Sequence, residues 1–194
     1  GKTTLFSALL DLIKPTTGEV LNNGINVRTS EDWKSFTSAF LDESFLISYL
    51  MPEEYFYFVG ELRNFNKVKV DEFLKQFEDL FNGEILGGKK FIRDLSKGNQ
   101  KKVGIIAALI GDPKVVILDE PFANLDPTTQ IRLKKIIKNL SQKKDVTVLV
   151  SSHDLQDVTE VSERIVLLEK GLVIKDIKKT QKTLKDLETY FNKE

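Results

Sequence analysis

The sequence of 194 residues contains no cysteine. This absence excludes disulfide bonds and thiolate metal sites in these residues, and it fits a reducing compartment. An excess of charge is also absent, because 29 Lys and Arg residues balance 29 Asp and Glu residues. A net charge of zero does not indicate a globally basic nucleic-acid-binding domain, so no nucleic-acid partner is expected. A local basic patch on the surface is the remaining alternative.

Long apolar runs are missing as well. The longest candidates, "VGIIAALIG" and "VVILDEPF", fall short of the roughly 20 residues that a membrane-spanning helix needs. Hydrophobic residues nevertheless make up 41% of the chain, which is enough for a sizeable core. The length predicts one domain.

Turn and breaker residues divide the chain into helical and strand segments. The period of the apolar residues predicts helices over residues 3–13, 52–65, 70–81, 96–111, 127–142, 154–163 and 184–191. Strands are predicted in residues 35–43, 114–121 and 145–154, and in two hairpins that turn at Asn23-Gly24 and Lys170-Gly171. This alternation predicts an α/β fold with a mostly parallel sheet and a helical insert at about 47–112.

The chain opens with Gly1-Lys2-Thr3-Thr4, which matches the end of the phosphate-loop pattern G-x-x-x-x-G-K-[ST]. In that loop, backbone N–H groups and a helix N-terminus surround the phosphates of a nucleotide. The lysine reaches the β- and γ-phosphates and the next hydroxyl ligates Mg²⁺, which predicts these roles for Lys2 and Thr3. Four residues alone are a weak signal, because the same letters also begin ordinary helices.

Two adjacent acids, Asp119 and Glu120, end the apolar segment "VVILDEP". Ligands of open α/β sheets bind outside the carboxyl ends of the strands, so these acids and the phosphate loop are predicted to face one crevice. One carboxylate can hold Mg²⁺, and the next can orient or deprotonate an attacking water. The alternative is a pair of solvated acids where a strand meets a turn.

Two further segments carry weaker signals. The segment "LSKGNQ" places Ser96 and Gly98 at a helix start, where anions bind, although an ordinary N-cap explains the same pattern. His153 is the only histidine and follows the apolar strand "TVLV". At the carboxyl end of a parallel strand it can bond a phosphate oxygen, and the alternative is a structural or surface histidine.

Taken in order, the segments GKTT, LSKGNQKK, VVILDEP, ANLDP and SSHD resemble the ATP-binding subunit of an ABC transporter. The resemblance runs over nearly the whole chain. It is specific, because other P-loop families share the first and third segments but not the second, fourth and fifth in this order. The resemblance implies the fold of a P-loop NTPase of the ABC type, with the helical insert as its signature-bearing subdomain.

The resemblance also implies a head-to-tail dimer that closes on two ATP molecules. The residues that it assigns to ATP are Gly1, Lys2, Thr3, Thr4, Asp42, Ser96, Gly98, Asn99 and Asp126. Those that it assigns to Mg²⁺ are Thr3, Asp119 and Asp42. Glu120 is implied as the general base for water, and His153 as the contact of the γ-phosphate. The signature residues Ser96, Gly98 and Asn99 would reach the ATP of the opposite subunit, and Asp126 would cross the interface.

The sequence departs from the family pattern in three places. Lys97 and Asn99 stand in the third and fifth positions of the usual L-S-G-G-Q signature, while its serine and second glycine remain. Asp42 stands where the family carries a glutamine, with Glu43 as the alternative register. By the resemblance, we expect the first strands, the aromatic residue that stacks on adenine and the first half of the phosphate loop to be absent from residues 1–194.

The beginning at Gly1 leads us to expect that residues 1–194 are an ABC ATPase domain truncated at its N-terminus. Most of the backbone N–H groups of a complete phosphate loop would then lie upstream. We therefore expect this chain alone to bind ATP poorly and to hydrolyse little of it.

The function that the resemblance implies is that of the ATP-binding and ATP-hydrolysing subunit of an ABC transporter. Closure of the dimer on ATP would drive substrate movement by a separate membrane-spanning permease subunit. A second ABC ATPase subunit, identical or related, would complete the dimer. Such a protein is cytoplasmic and lies peripherally on the cytoplasmic face of the plasma membrane.

The alternative function is a soluble ABC ATPase that acts on the ribosome or on nucleic acid. Chromosome-maintenance members place a long coiled coil between the phosphate loop and the signature, and no sustained heptads lie between Thr4 and Ser96. Translation-factor members carry two such domains, so a further upstream domain keeps this alternative open. A non-catalytic regulatory relic is disfavoured because Asp119, Glu120 and His153 are intact.

Overall fold

A computed structural model describes residues 1–191, so the last three residues of the predicted domain 1–194 lie outside the described residues. Its α-helices are α1 (Lys2–Leu9), α2 (Pro52–Leu62), α3 (Lys67–Lys75), α4 (Glu78–Phe81), α5 (Lys97–Leu109), α6 (Pro127–Ser141), α7 (Leu155–Val161) and α8 (Thr183–Phe191). Its strands are β1 (Leu21–Asn22), β2 (Ile25–Asn26), β3 (Thr37–Phe40), β4 (Val115–Leu118), β5 (Thr147–Val150), β6 (Arg164–Glu169) and β7 (Leu172–Lys178). Short 3₁₀ turns cover Asp32–Ser35, Glu43–Phe45 and Ile92–Asp94.

The three predicted buried strands form one parallel sheet in the order β3-β4-β5. Their register aligns the ends of the strands, since Phe40 pairs with Leu118 and Leu118 with Val150. The central strand β4 is apolar because helices cover both of its faces, as is usual for parallel sheets. The carboxyl ends of all three strands therefore meet at one edge, where the chain continues into the predicted site residues.

Both predicted hairpins are present as separate two-stranded antiparallel sheets. The turn between β1 and β2 is Asn23-Gly24, and the turn between β6 and β7 is Lys170-Gly171. All four turn residues have positive φ angles, which suits a tight two-residue turn and explains the glycines. The local sequence signal was therefore sufficient to place both hairpins.

Helices α2 to α5 lie between β3 and β4 and share an aromatic core. Phe56 and Phe81 are fully buried, with their ring centroids 5.9 Å apart. Helix α5 is buried from Asn99 to Leu109 because the other helices pack on one side and the sheet on the other. Its Gly104 lies against the ring of Phe40, where a Cβ atom would overlap the ring.

Arg63, at the end of α2, ties these helices to the start of β3. Its guanidinium donates to the carbonyl oxygens of Lys34, Ser35 and Thr37 at 2.7, 2.9 and 2.6 Å, and to Ser38 Oγ at 2.9 Å. Four acceptors around one planar fork define the position of the group closely. The contact lies at the amino end of β3, away from the edge that carries the site.

Several predicted helices have different boundaries in the structure, among them the one predicted over residues 52–65, which ends at Leu62. The helix predicted over residues 3–13 ends at Leu9, and Asp11 takes a left-handed φ of 54°. The helix predicted over residues 70–81 begins earlier, because the Asn66 side chain accepts from Lys69 N and caps α3. It then breaks before α4, which ends at Asn82 in the left-handed conformation.

None of the helices within residues 1–191 is both long and apolar enough to cross a bilayer.

Candidate functional site

The phosphate-loop residue Thr3 and the strand-end residue Asp119 are in direct contact. Thr3 Oγ1 donates to Asp119 Oδ2 at 2.5 Å, although the two residues lie far apart in the sequence. Asp119 is buried, and its other oxygen accepts from the hydroxyl of Ser151. Helix α1 thus begins beside the carboxyl end of β4, as the sequence predicts. Ser151 opens the segment "SSHD", in which the sequence predicts a role for His153 alone.

The carboxylate of Glu120 lies between the side chains of Lys2 and His153. Lys2 Nζ is 3.2 Å from Glu120 Oε1. His153 Nδ1 is 2.9 Å from Glu120 Oε2, and the His153 amide donates to the same oxygen at 3.3 Å. The His153 side chain is 76% exposed, so one face of this cluster is open to solvent.

The contact with Glu120 determines which nitrogen of His153 carries a proton. An ionised carboxylate only accepts hydrogen bonds, so the proton of this contact belongs to Nδ1. In a neutral imidazole Nε2 is then an acceptor. With Nδ1 bonded to Glu120, His153 donates from this nitrogen to a phosphate oxygen only after the ring turns away from Glu120.

The backbone of Glu120 is unusual. Its φ angle is 45°, in the left-handed region, which costs a non-glycine residue about 1–2 kcal/mol. Its N–H donates to Ser151 Oγ at 3.0 Å. Its carbonyl oxygen accepts from Ala123 N at 3.3 Å and from Lys101 Nζ at 3.1 Å. The surrounding structure therefore holds the residue on both sides of its strained backbone.

Gly1 and Thr4 lie at the start of α1. Gly1 is the N-cap residue, and its carbonyl oxygen accepts from Leu5 N at 3.0 Å. Thr4 is exposed on the first turn. The first N–H groups of a helix have no intrahelical partner, so this end of α1 presents free donors on the side of Lys2 and Thr3.

The signature residues make contacts at the start of α5 and with the segments that carry Glu84 and Asn124. Ser96 is exposed and caps α5 by accepting from Asn99 N at 3.2 Å. The Asn99 side chain is buried and donates to Glu84 Oε2 at 3.0 Å, which lowers the pKa of the Glu84 carboxyl. A Cβ atom at Gly98 would meet the carbonyl oxygen of Asn124 at 3.6 Å, so α5 begins close to the segment "ANLDP".

Two predicted acids act as helix caps in the structure. Asp126 accepts from Thr129 N at 3.0 Å at the start of α6, and hydrogen bonding with Thr129 lowers the pKa of its carboxyl. Asp42 accepts from Ser44 N at 2.7 Å and is exposed. Its neighbour Glu43 points elsewhere, with Oε1 at 3.9 Å from Lys101 Nζ.

The contact between Thr3 and Asp119 suits a hard divalent cation. A hydroxyl and a carboxylate are oxygen ligands of the kind that Mg²⁺ prefers. Within residues 1–191 there is no group of three or more acidic or histidine side chains that could hold a metal. Mg²⁺ commonly keeps several waters and binds one or two protein groups together with substrate phosphates, so the small donor set agrees with a nucleotide-bound magnesium.

Comparison with known proteins identifies the family. A family model described as ABC transporter matches residues 1–123, more than half of the chain. The chain belongs to the ABC transporter family. The order of phosphate loop, signature and Asp119-Glu120 pair falls within the matched residues, and this agrees with the resemblance seen in the sequence.

Curated relatives in the ABC transporter family are longer than this chain. The energy-coupling factor transporter ATP-binding protein EcfA2 of Staphylococcus epidermidis is 31% identical over 185 residues, which cover 90% of this chain and 63% of that protein. The methionine import ATP-binding protein MetN of Carboxydothermus hydrogenoformans is 25% identical over 181 residues, which cover 91% of this chain and 53% of that protein. The chain therefore spans less than two thirds of the length of these relatives.

A solved structure of the same family supports the fold. It is a dimeric ATP-binding cassette in a post-hydrolysis state with ADP and phosphate, and it superimposes with a TM-score of 0.76 at 26% identity. The match covers 92% of this chain and 80% of that one. The predicted α/β fold of an ABC-type P-loop ATPase is therefore confirmed.

Proposed function

We propose that the full-length protein hydrolyses ATP as the nucleotide-binding subunit of an ABC transporter. The observation that carries this proposal is the cluster at the carboxyl end of β4. There Thr3 meets Asp119, and Glu120 lies between Lys2 and His153. A cation, a hydroxyl and two acids at one sheet edge are groups that P-loop enzymes use for phosphoryl transfer to water, and the histidine lies beside them.

In the proposed reaction, Lys2 and the N–H groups at the start of α1 bind the phosphates of ATP. The phosphates then take the place of Glu120 as the partner of the Lys2 ammonium. Glu120 is thereby free to accept the proton of the attacking water, which makes it the general base. His153, released from Glu120, donates to the γ-phosphate through a ring nitrogen, and Thr4 assists at the phosphates.

Thr3 and Asp119 are the residues that would hold Mg²⁺ together with the ATP phosphates. When bound, the ion neutralises the charge that develops on the phosphate oxygens. Ser151 keeps one Asp119 oxygen occupied and leaves the other, now bonded to Thr3, for this role. Asp42, whose carboxylate now accepts from Ser44 N, would act near the ion or its waters.

The remaining predicted residues serve a second ATP site across a dimer. Ser96 and Gly98 lie at the start of the 13-residue helix α5, where the exposed serine and the helix N-terminus suit a phosphate. Asn99, held by Glu84, would keep this segment in place, and Asp126 would lie at the interface. A dimer of two ABC ATPase subunits, identical or related, agrees with the dimeric state of the similar solved structure.

The membrane partner is inferred from the relatives. The similar Staphylococcus and Carboxydothermus proteins are named as ATP-binding proteins of an energy-coupling factor transporter and of methionine import. We infer that this protein likewise works with a separate permease on the cytoplasmic face of the plasma membrane, through a helical insert of about 47–112.

The test is to purify the full-length natural chain from gently solubilised membranes of its host. Mass spectrometry should find a multi-spanning membrane protein in near-stoichiometric amount, and the complex should release phosphate from ATP in a Mg²⁺-dependent manner. Ribosomes or nucleic acid as the partners, with the protein absent from membranes, would favour the soluble ABC ATPase. A complex that binds ATP without turnover would contradict the catalytic proposal.

A further inference from the structure

Lys101, in the second turn of α5, has a buried charge. Its side chain is only 8% exposed. Its Nζ donates to the carbonyl oxygens of Ala123 at 2.9 Å and Glu120 at 3.1 Å. The nearest carboxylate is that of Glu43, with Oε1 at 3.9 Å. Helix α5 thus reaches the loop after β4 through one ammonium group.

The chemistry of an ammonium group explains why these contacts are firm. It has three N–H donors and no acceptor, so it needs oxygen atoms on several sides. A buried charge without such partners is costly, whereas hydrogen bonds from an ion to a carbonyl are stronger than those between neutral groups. The two carbonyl oxygens and the Glu43 carboxylate supply these partners, so the loop and the helix keep a defined separation.

The two carbonyl oxygens belong to the ends of one tight turn. Ala123 N donates to Glu120 O within this turn, and Lys101 Nζ contacts both end residues. The amide on the other side of Glu120 is held by Ser151 Oγ. Ser151, which follows β5, therefore holds the N–H of Glu120, and Lys101 of α5 holds its carbonyl oxygen. These two contacts define the direction of the Glu120 Cα–Cβ bond.

We propose that Lys101 is a positioning residue for Glu120. Its ammonium holds the strained turn in the conformation that aims the Glu120 carboxylate at Lys2 and His153. It acts through the backbone and makes no contact of its own with either of these side chains. This inference rests on the proposed function, because it assigns Lys101 to the residue proposed as general base. It also gives Glu43 the role of counter-charge.

The experiment compares variants of the full-length protein in its native complex. Lys101→Met removes the ammonium and keeps an unbranched apolar side chain. We expect kcat for ATP hydrolysis to fall about tenfold or more, because small displacements of a catalytic group have large effects on rate. The Kd for ATP should stay within about twofold, since the Lys101 ammonium makes none of the proposed phosphate contacts itself. Lys101→Arg keeps the charge and the donors and should recover most of the rate.

The matched control is Lys135→Met, which removes an exposed lysine of α6 and should leave kcat unchanged. Hydrogen exchange gives a second readout, since the Ala123 amide bonds to Glu120 O and should exchange faster in Lys101→Met. A merely structural lysine would lower stability, kcat and ATP affinity together, without recovery by arginine. If Lys101→Met does not fold, Lys101→Gln takes its place, and failure of both to fold would overturn the positioning role.

Glu120→Gln, measured in parallel, separates this inference from the proposed function. If Glu120→Gln abolishes hydrolysis while Lys101→Met keeps the full rate, the inference is wrong and the proposed function stands. If Glu120→Gln keeps the full rate, the assignment of the general base is wrong, and the role of Lys101 is overturned with it. Loss of kcat in both variants, with ATP still bound, supports both.

Discussion

Lys2 Nζ lies 3.2 Å from Glu120 Oε1, so the proposed phosphate-binding lysine and the proposed general base neutralise each other. The pair joins the first residues of the chain to the end of the central strand. ATP and Glu120 cannot both be the principal partner of one ammonium group. Binding of the phosphates is therefore expected to release Glu120 for catalysis, which makes the carboxylate available only when substrate is present.

The first prediction concerns this competition. In the full-length protein, Glu120→Gln should lower ATP hydrolysis by about 100-fold or more, because the general base is lost. ATP affinity should not fall, since a neutral amide competes less with phosphate for Lys2. Phosphate release and equilibrium ATP binding measure the two effects. Glu163→Gln, at an exposed position, is the control, and weaker ATP binding by Glu120→Gln would contradict the competition.

The second prediction concerns the buried amide of Asn99. The hydrogen bond from Asn99 lowers the pKa of the Glu84 carboxyl, and a second one from Asn82 adds to it. Asn99→Ala should therefore raise the pKa of Glu84 toward the ordinary value of about 4.3. Carboxyl NMR titration follows the change. Asn82→Ala, which removes a longer bond of 3.4 Å, should raise this pKa less. A Glu84 pKa that is the same in wild type and Asn99→Ala would show that the bond is absent in solution.

The third prediction concerns the packing of α5 on the sheet. Gly104→Ala would place a Cβ atom inside the ring of Phe40. Overpacking of this kind destabilises a protein by about 1–3 kcal/mol, and the ring has to move. Urea unfolding measures the loss. Gly88→Ala is the matched control, because the nearest atom to its Cβ would be Lys90 N at 4.0 Å. Equal stability of the two variants would contradict the close contact.

The fourth prediction concerns pH. Lys134 of α6 lies 2.8 Å from carboxylate oxygens of both Asp157 and Glu160 in α7. Hydrogen bonds from Lys134, and secondarily from Lys138, lower the pKa of the Glu160 carboxyl. The contribution of Glu160 to stability is then present above its unfolded pKa of about 4.3 and is lost as the pH falls through the lower folded value.

Urea unfolding between pH 3 and pH 7 tests this effect. The free energy of unfolding should decrease less steeply in the acid range for Glu160→Gln than for the wild type. The Glu160 side chain is 46% exposed, so solvent screening keeps the difference below about 1 kcal/mol. Glu163→Gln should keep the wild-type slope. An unchanged slope in Glu160→Gln would show that the ion pair does not form in solution.

Much of the fold was predictable because its signals are local. The apolar strands, the glycine turns and the capping serine of α5 each depend on a few neighbouring residues, and all appear where the sequence places them. The boundaries of α1 and of the α3–α4 pair were wrong by several residues. Helix α1 ends at Leu9, before its apolar pattern does, whereas α3 begins before its apolar pattern because Asn66 caps the helix.

The candidate site was only partly predictable. The rule that parallel strand ends share an edge predicts that five residues meet there: Lys2, Thr3, Asp119, Glu120 and His153. The parts that were missed depend on the tertiary structure. Nothing in the sequence distinguishes Lys101 from its neighbour Lys102, and both lie in a buried helix. The pairing of Asn99 with Glu84 likewise depends on how the loop after α4 folds back.

The contacts of Arg63 restrict some positions of the sequence and leave others free to vary. Three of its four acceptors are main-chain carbonyl oxygens at positions 34, 35 and 37, which any amino acid supplies. Substitutions there therefore leave the contact intact. The arginine itself has no equivalent, since lysine lacks the planar fork. Arg63 also restricts position 111 to glycine, because a Cβ atom there would lie 2.6 Å from Arg63 Cβ. In related sequences, we expect positions 63 and 111 to change together or not at all.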